Sequence, residues 1–344
     1  MKEQVHGGDV YRHPDVIDFS SNMNPLGTPK ALIDAVIDSM QRIAQYPDIR
    51  CEKLISALSV YEGVKEQQLI CGNGAADLIF SLVQAVKPKR ALLQAPTFVE
   101  YAQALESVGC EITYYDSSKE GYRITEKYIE ALHETYDIAF LCNPNNPTGF
   151  LIEPAILEQI VDVCKEKQIF LVVDECFQDF VPEEKQFSLK KRLDDTKNLF
   201  LLKAFTKRYA MAGLRLGYGI TDNTALLDKM AQITQPWNVS LPAQEAGVAA
   251  LKETAYVKEG LSVVQRELAW LKDRFQALGL KTYDSQANYL FFEGPADLKA
   301  KCLKKKILIR SCSNYPSLGE RHFRIAVRKH TDNEKLIRVL QEIL

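Results

Sequence analysis

Short apolar runs alternating with helical stretches occupy the chain from about residue 29 to residue 240, and they restrict its fold more than any other feature. The runs are Leu69–Cys71, Ala91–Ala95, Glu111–Tyr115, Ile138–Cys142, Phe170–Val173, Leu199–Leu202 and Leu214–Ile220. Helical patterns lie between several of them. The clearest is 154–167, opened by Pro154, with Ile156, Ile160, Val161 and Cys164 inward. Ahead of the first run, Thr28-Pro29 reads as the N-cap and first residue of a helix whose Ile33, Val36, Ile37, Met40 and Ala44 share one face. Alternation of this kind predicts an α/β fold with a mainly parallel sheet covered on both faces.

The pattern changes after about residue 240. One long helix is predicted over about 255–278, with Val257, Leu261, Val264, Leu268, Leu271, Phe275 and Leu278 in steps of three and four and Gly279 as its stop. Three β-rich pieces follow, Tyr289–Phe292, Ile307–Ser311 and His322–Val327, and Thr331-x-x-Glu334 reads as the capping box of a last helix. This predicts a second, smaller α+β lobe. A length of 344 residues suits such a pair. The domain boundaries expected are 1–45 for an N-terminal segment packing with the small domain, 46–240 for the large domain and 241–344 for the small one.

A net charge of −2 argues against a nucleic-acid footprint. The eight cysteines show no C-x-x-C spacing, and several sit inside apolar runs, so they read as reduced residues of a cytoplasmic protein and not as metal ligands. Neither a signal peptide nor a membrane span is expected, because the N-terminal stretch has no apolar segment and no run approaches the length a span needs.

In an open parallel sheet, ligands bind beyond the carboxyl ends of the strands, so the residues after each run matter most. Gly72-Asn73-Gly74-Ala75-Ala76-Asp77 leads into a helix and is either a plain turn or a phosphate cradle. It is not a dinucleotide fingerprint, since Asp77 stands where the third glycine belongs. Phe98, in Pro96-Thr97-Phe98, could stack on a flat ligand or belong to the core. Asn143-Pro144-Asn145-Asn146-Pro147-Thr148-Gly149 is a rigid turn that could aim amides at a ligand. Asp174 ends an apolar strand and needs a partner there, either a protonated ring nitrogen or a structural cation. Lys207, with Thr206 before it and Arg215 after it, is either part of a solvated loop or a covalent cofactor site with a phosphate clamp. Together these sites supply every part that pyridoxal phosphate needs: a phosphate cradle, a ring stack, an amide, an acid and an amine.

Those motifs, in that order, resemble the class I/II aminotransferases, the fold-type I pyridoxal-phosphate enzymes, from Ser20 to the last helix. The resemblance implies a large domain built on a mainly parallel seven-stranded sheet plus a smaller α+β domain. It implies that Lys207 carries the cofactor, because Lys207-x7-Arg215-x-Gly217 keeps the family spacing, and that Lys203 does not. Thr206, Arg215 and the backbone of Gly74, Ala75 and Ala76 match the phosphate ligands. Asp174 matches the partner of the ring nitrogen, Asn146 the residue facing the ring hydroxyl and Phe98 the stacking aromatic. Tyr46 matches a tyrosine that reaches the cofactor phosphate of a neighbouring subunit, which implies a homodimer. Arg324 matches the arginine for the substrate carboxylate, and Asn24 and Gly27 belong to a loop that closes over the substrate. His6 and Arg328 are the expected ligands for a phosphate on the substrate. No metal site is implied.

One position departs from the family. Phe177 stands where a tyrosine usually donates to the ring hydroxyl, which leaves Asn146 alone on that side. The stretch Asp174–Pro182, His6-Gly7-Gly8, Phe19–Gly27 and Thr206–Tyr218 are similar to the threonine-phosphate decarboxylases of cobalamin biosynthesis. This implies decarboxylation of L-threonine O-phosphate to aminopropanol phosphate. The near relatives, histidinol-phosphate aminotransferases using 2-oxoglutarate and glutamate, are the alternative. A non-catalytic ligand sensor would need an attached effector domain, for which the chain shows no sequence.

Overall fold

The structure is a computed structural model that describes residues 6–183 and 186–344. The first five residues of the N-terminal stretch lie outside it. A short strand, β1 (Ile17–Asp18), precedes helices α1 (Lys30–Ser39) and α2 (Glu52–Glu62). The alternating region follows as β2 (Leu69–Gly72), α3 (Ala75–Val86), β3 (Arg90–Ala95), α4 (Val99–Ser107), β4 (Glu111–Asp116), α5 (Glu126–Ala131), β5 (Ile138–Cys142) and α6 (Pro154–Glu166). It continues with β6 (Phe170–Asp174), β7 (Leu199–Ala204), the single turn α7 (Phe205–Arg208), β8 (Gly217–Ile220), α8 (Thr224–Ile233) and α9 (Leu241–Ala250).

Strands β2 to β8 form one seven-stranded sheet in the order β2-β8-β7-β6-β5-β3-β4. Only β8 runs against its neighbours. Alternate side chains enter two separate cores. Ala139, Leu141, Leu171, Val173, Leu199 and Leu201 pack on one face, and Ile138, Phe140, Val172, Phe200 and Leu202 on the other. That two-sided burial is why these strands read as continuous apolar runs. The strand order reverses between β3 and β5, which opens a crevice beyond their carboxyl ends.

The chain ends with α10 (Thr254–Ala277), β9 (Lys281–Thr282), β10 (Tyr289–Glu293), α11 (Leu298–Lys304), β11 (Ile307–Leu308), β12 (Arg310–Ser311), β13 (His322–Ala326) and α12 (His330–Ile343). Strands β12-β13-β10-β9 make an antiparallel sheet against α10 and α12, around a third core that includes Phe275, Leu290, Phe292, Phe323 and Ile325. β1 pairs with β11, which ties the N-terminal segment to this part.

Several expectations change at their edges. The piece read as Ile307–Ser311 is two strands in different sheets, because β11 follows β1 and β12 follows β13. The run read as Leu214–Ile220 becomes a strand only at Gly217; Ala212–Leu214 is a 3-10 turn and Arg215 takes a left-handed φ of 56°. Thr331 does not cap the last helix, which starts at His330 behind Lys329. Pro29 occupies the cap position of α1, while the Thr28 hydroxyl donates to the Ala210 carbonyl at 2.7 Å. The apolar face of α1 is not inward: Leu32 is buried, but Ile33, Ile37 and Met40 are exposed, and the helix stops before Ala44.

Candidate active site

The ends of β3, β5, β6 and β7 converge with β12 and β13 on one cavity of about 430 Å³. Ala75, Ala76, Phe98, Asn146, Asp174, Thr206, Lys207, Arg215, Arg324 and His6 all line it.

One end is an anion cradle. Ala75 opens α3, so its backbone N–H and that of Ala76 belong to the first turn, where helix donors are free. Gly74 precedes them at φ 83°, ψ 164°, a conformation essentially restricted to glycine. A Cβ there would stand 2.3 Å from a guanidinium nitrogen of Arg215. The missing side chain thus leaves the room that Arg215 occupies, and the left-handed backbone at Arg215 turns it there.

Lys203 and Lys207 sit around the same strand end in opposite surroundings. Lys203 pairs with Glu175 at 3.1 Å and lies 3.9 Å from Glu62, and these carboxylates raise its pKa despite burial. Lys207 faces the cavity and makes no ion pair among the described residues. Burial first, then Arg324 and Arg215, depress its amine to about 8. Its backbone is held from the N-terminal loop. The Asn24 N–H donates to the Lys207 carbonyl at 3.0 Å, and the Asn24 amide donates to the Arg208 carbonyl at 2.9 Å.

Asp174 ends β6 fully inside the protein. Its carboxylate accepts from the Tyr101 hydroxyl at 2.6 Å and from the Cys176 N–H at 2.9 Å. Burial nonetheless pushes its pKa up, against the pull of those donors and of Lys207. Phe98 meets Tyr101 edge-on at 5.5 Å between ring centres. Phe177 packs edge-on to Tyr289 at 5.0 Å and brings no hydroxyl to the cavity. Arg324 donates to the Asn146 amide oxygen at 2.5 Å and to the Ser20 carbonyl at 2.7 Å. Its Nε is buried without a partner among the described residues.

Residues 14–343 match the family aminotransferase class I and II. The chain belongs to that family. It is 38% identical to the threonine-phosphate decarboxylase of Salmonella typhimurium, with 99% of this chain and 96% of that protein aligned. Among solved structures, the histidinol-phosphate aminotransferase of Clostridium acetobutylicum superposes with a TM-score of 0.87 at 27% identity, covering 94% of this chain and 98% of that one. The L-threonine-O-3-phosphate decarboxylase of Porphyromonas gingivalis superposes with a TM-score of 0.83 at 25% identity, also covering 94% and 98%. This class I and II aminotransferase relative is a pyridoxal-phosphate enzyme. The cavity fits that cofactor: the glycine-shaped cradle suits its phosphate, Asp174 its ring nitrogen and the unpaired Lys207 its aldehyde.

Other sequence candidates lie elsewhere. Arg328 is turned away from the cavity: it holds Asp332 at 3.1 Å and the Asp18 carbonyl at 2.9 Å, and its guanidinium lies over the Phe19 ring. It lies four residues past Arg324, a spacing that would put both on one face of a strand, but β13 ends at Ala326 before the register reaches it. Asn24 and Gly27 do not line the cavity either. Asn24 braces the Lys207 turn, and the Gly27 carbonyl accepts from the Tyr256 hydroxyl at 2.6 Å. Tyr46 is exposed and stacks on Trp237 at 4.5 Å.

Sequence reading passed over Tyr101, Glu100 and Arg310. Arg310 is a buried charge straight after the apolar run Ile307-Leu308-Ile309, and it is the β-ladder partner of Arg324. The logic applied to Asp174, a charge at the end of an apolar run, would have found it.

Proposed function

We propose that the chain is a threonine-phosphate decarboxylase that releases carbon dioxide from L-threonine O-phosphate, leaving aminopropanol phosphate for cobalamin biosynthesis. The observation that carries this reading is the 38% identity to the Salmonella enzyme over 99% of the chain. The cavity supports it, because two buried arginines on neighbouring strands, Arg324 and Arg310, suit a substrate with two anionic groups.

Bound pyridoxal phosphate supplies an electron sink for the bond that breaks at the substrate α-carbon. Ala75, Ala76, Thr206 and Arg215 would hold its phosphate. Asp174 would hold a proton at the ring nitrogen, Phe98 would cover the ring, and Asn146 would face the ring hydroxyl without help from Phe177. Lys207 would hold the cofactor through its amine. An amine depressed to about 8 is partly neutral near neutral pH, so it can attack an aldehyde and can afterwards hold or deliver the proton that the α-carbon needs. Arg324, with one free Nε and two donors already anchored, binds the substrate carboxylate in a fixed orientation. That orientation decides whether the carboxylate or the hydrogen leaves. His6 lines the same cavity and belongs, with Arg310, to the end that takes the substrate phosphate.

The working unit on this reading is a cytoplasmic homodimer. Ile33, Ile37, Met40, Ile43, Tyr46 and Ile49 are exposed along one stretch of the chain with Trp237 beside it, far more apolar surface than scattered single residues leave. Tyr46 within this patch would reach the cofactor phosphate of the second copy. The eight free cysteines support a reducing compartment. The domain division at residues 1–45, 46–240 and 241–344 belongs to the same proposal, and the separate sheets support it. Carbon dioxide release from threonine phosphate, set against glutamate consumption, tests the activity.

A further inference from the structure

Glu100 sits in the first turn of α4 and faces the same cavity as the substrate-binding arginines. One carboxylate oxygen lies 3.3 Å from Nδ1 of His6. The other, Oε2, is buried and has no hydrogen-bond partner among the described residues. A buried acceptor left unmatched is costly. That is hard to explain as structural filling, because an apolar residue in the same place would avoid the cost. The surroundings are mixed in charge. Lys207 from α7 and Arg310 from β12 pull toward ionisation, Asp174 from β6 opposes it, His6 approaches from the N-terminal segment, and Tyr315 follows β12. Burial outweighs the residue's own backbone N–H and then the cations, and lifts the carboxyl to about 7.

An anion entering beside Arg310 meets this oxygen. If Glu100 is ionised, two negative groups are brought together out of water, and neither can donate to the other. If it is protonated, its O–H donates to the anion and the unmatched oxygen gains its partner. We propose that Glu100 is a specificity-determining residue that makes phosphate recognition proton-dependent: with its carboxyl protonated and His6 beside it, the subsite next to Arg310 accepts the substrate's distal phosphate, and with its carboxyl ionised the subsite rejects it. The inference rests on reading the substrate as a phosphorylated amino acid.

The sign follows from the direction of the shift. The protonated form is present below about 7 and is lost as pH rises through it, so anion affinity falls over that range. His6 runs the same way, but burial and Arg310 hold its pKa below the ordinary value, so its charge is lost at lower pH.

The test is calorimetric titration of the cofactor-loaded enzyme with sulfate, which keeps both charges from about pH 6 to about pH 9. The wild-type Kd should rise about five- to tenfold per pH unit above 7. In Glu100→Gln, whose amide cannot ionise, it should stay within about twofold and be lower than wild type at the alkaline end. Glu100→Asp keeps a carboxyl and should keep a pH slope. A Glu100→Gln variant with the wild-type slope, or a wild type with none, would overturn the role of Glu100. Should Glu100→Gln not fold, a flat Glu100→Asp would overturn it equally. Carbon dioxide release from threonine phosphate is measured alongside. Decarboxylation without proton-linked sulfate binding removes only this inference, and proton-linked binding without decarboxylation removes only the assigned substrate.

Discussion

Lys203 and Lys207 are four residues apart and electrostatic opposites: Lys203 is pinned to Glu175 at 3.1 Å, whereas Lys207 faces the cavity without an ion pair among the described residues. An amine must be neutral to attack an aldehyde, and only Lys207 approaches that state near neutral pH. Borohydride treatment of the cofactor-loaded protein should therefore fix the cofactor to Lys207 and not to Lys203. Peptide mapping checks this. The rate of cofactor attachment to the empty protein should also climb with pH and level off above about 8, where the Lys207 amine is already neutral. Label on Lys203 would mean that the ion pair does not protect it.

Asp174→Asn should keep the fold, since an amide still fits between Tyr101 and the Cys176 N–H. It should lower turnover at least about 100-fold, a loss of roughly 2.7 kcal/mol of barrier lowering. Steady-state kinetics of the cofactor-saturated variant, with circular dichroism for the fold, measure both. Activity within about tenfold of wild type would give Asp174 a structural part only.

Gly74→Ala puts a methyl group where the Arg215 guanidinium lies, on a backbone that side chains rarely adopt. The strain alone is about 1–3 kcal/mol. The cofactor Kd should rise by at least about tenfold, the equivalent of 1.4 kcal/mol, in a fluorescence titration. Unchanged cofactor affinity would show that Arg215 does not clamp the phosphate.

Ile37→Asp places a charge in the centre of the exposed apolar stretch of α1 and touches nothing in the cavity. If the proposed dimer forms through this face, the variant should be a monomer in sedimentation velocity, and most of the activity should go with it because the second copy's Tyr46 would be lost. An active monomer would separate the patch from catalysis.

The sheet was legible because its strands are buried on both faces, so that Ile138–Cys142 and Phe170–Val173 announce themselves as apolar runs bounded by turns. The convergence of Phe98, Asn146, Asp174 and Lys207 on one cavity was legible for a related reason: each lies at or shortly after a strand end and has little freedom to point elsewhere. What lay beyond a strand end in sequence but not in space was misread. Arg328 is drawn off by Asp332 in the next helix, and Asn24 braces the backbone of Lys207. Those partners lie in contacts between elements, which periodicity does not carry. The outward face of α1 was ambiguous for another reason. An apolar stripe on a helix has the same pattern whether it meets the chain's own core or a second copy.

The most direct measurement is a paired assay of the cofactor-loaded protein. Threonine phosphate is supplied in one reaction, and histidinol phosphate with 2-oxoglutarate in the other. Carbon dioxide should appear in the first, in equal amount to an amino-alcohol phosphate, and no glutamate should form in the second. Glutamate formation from histidinol phosphate, with no carbon dioxide from threonine phosphate, would contradict the account and make the chain an aminotransferase.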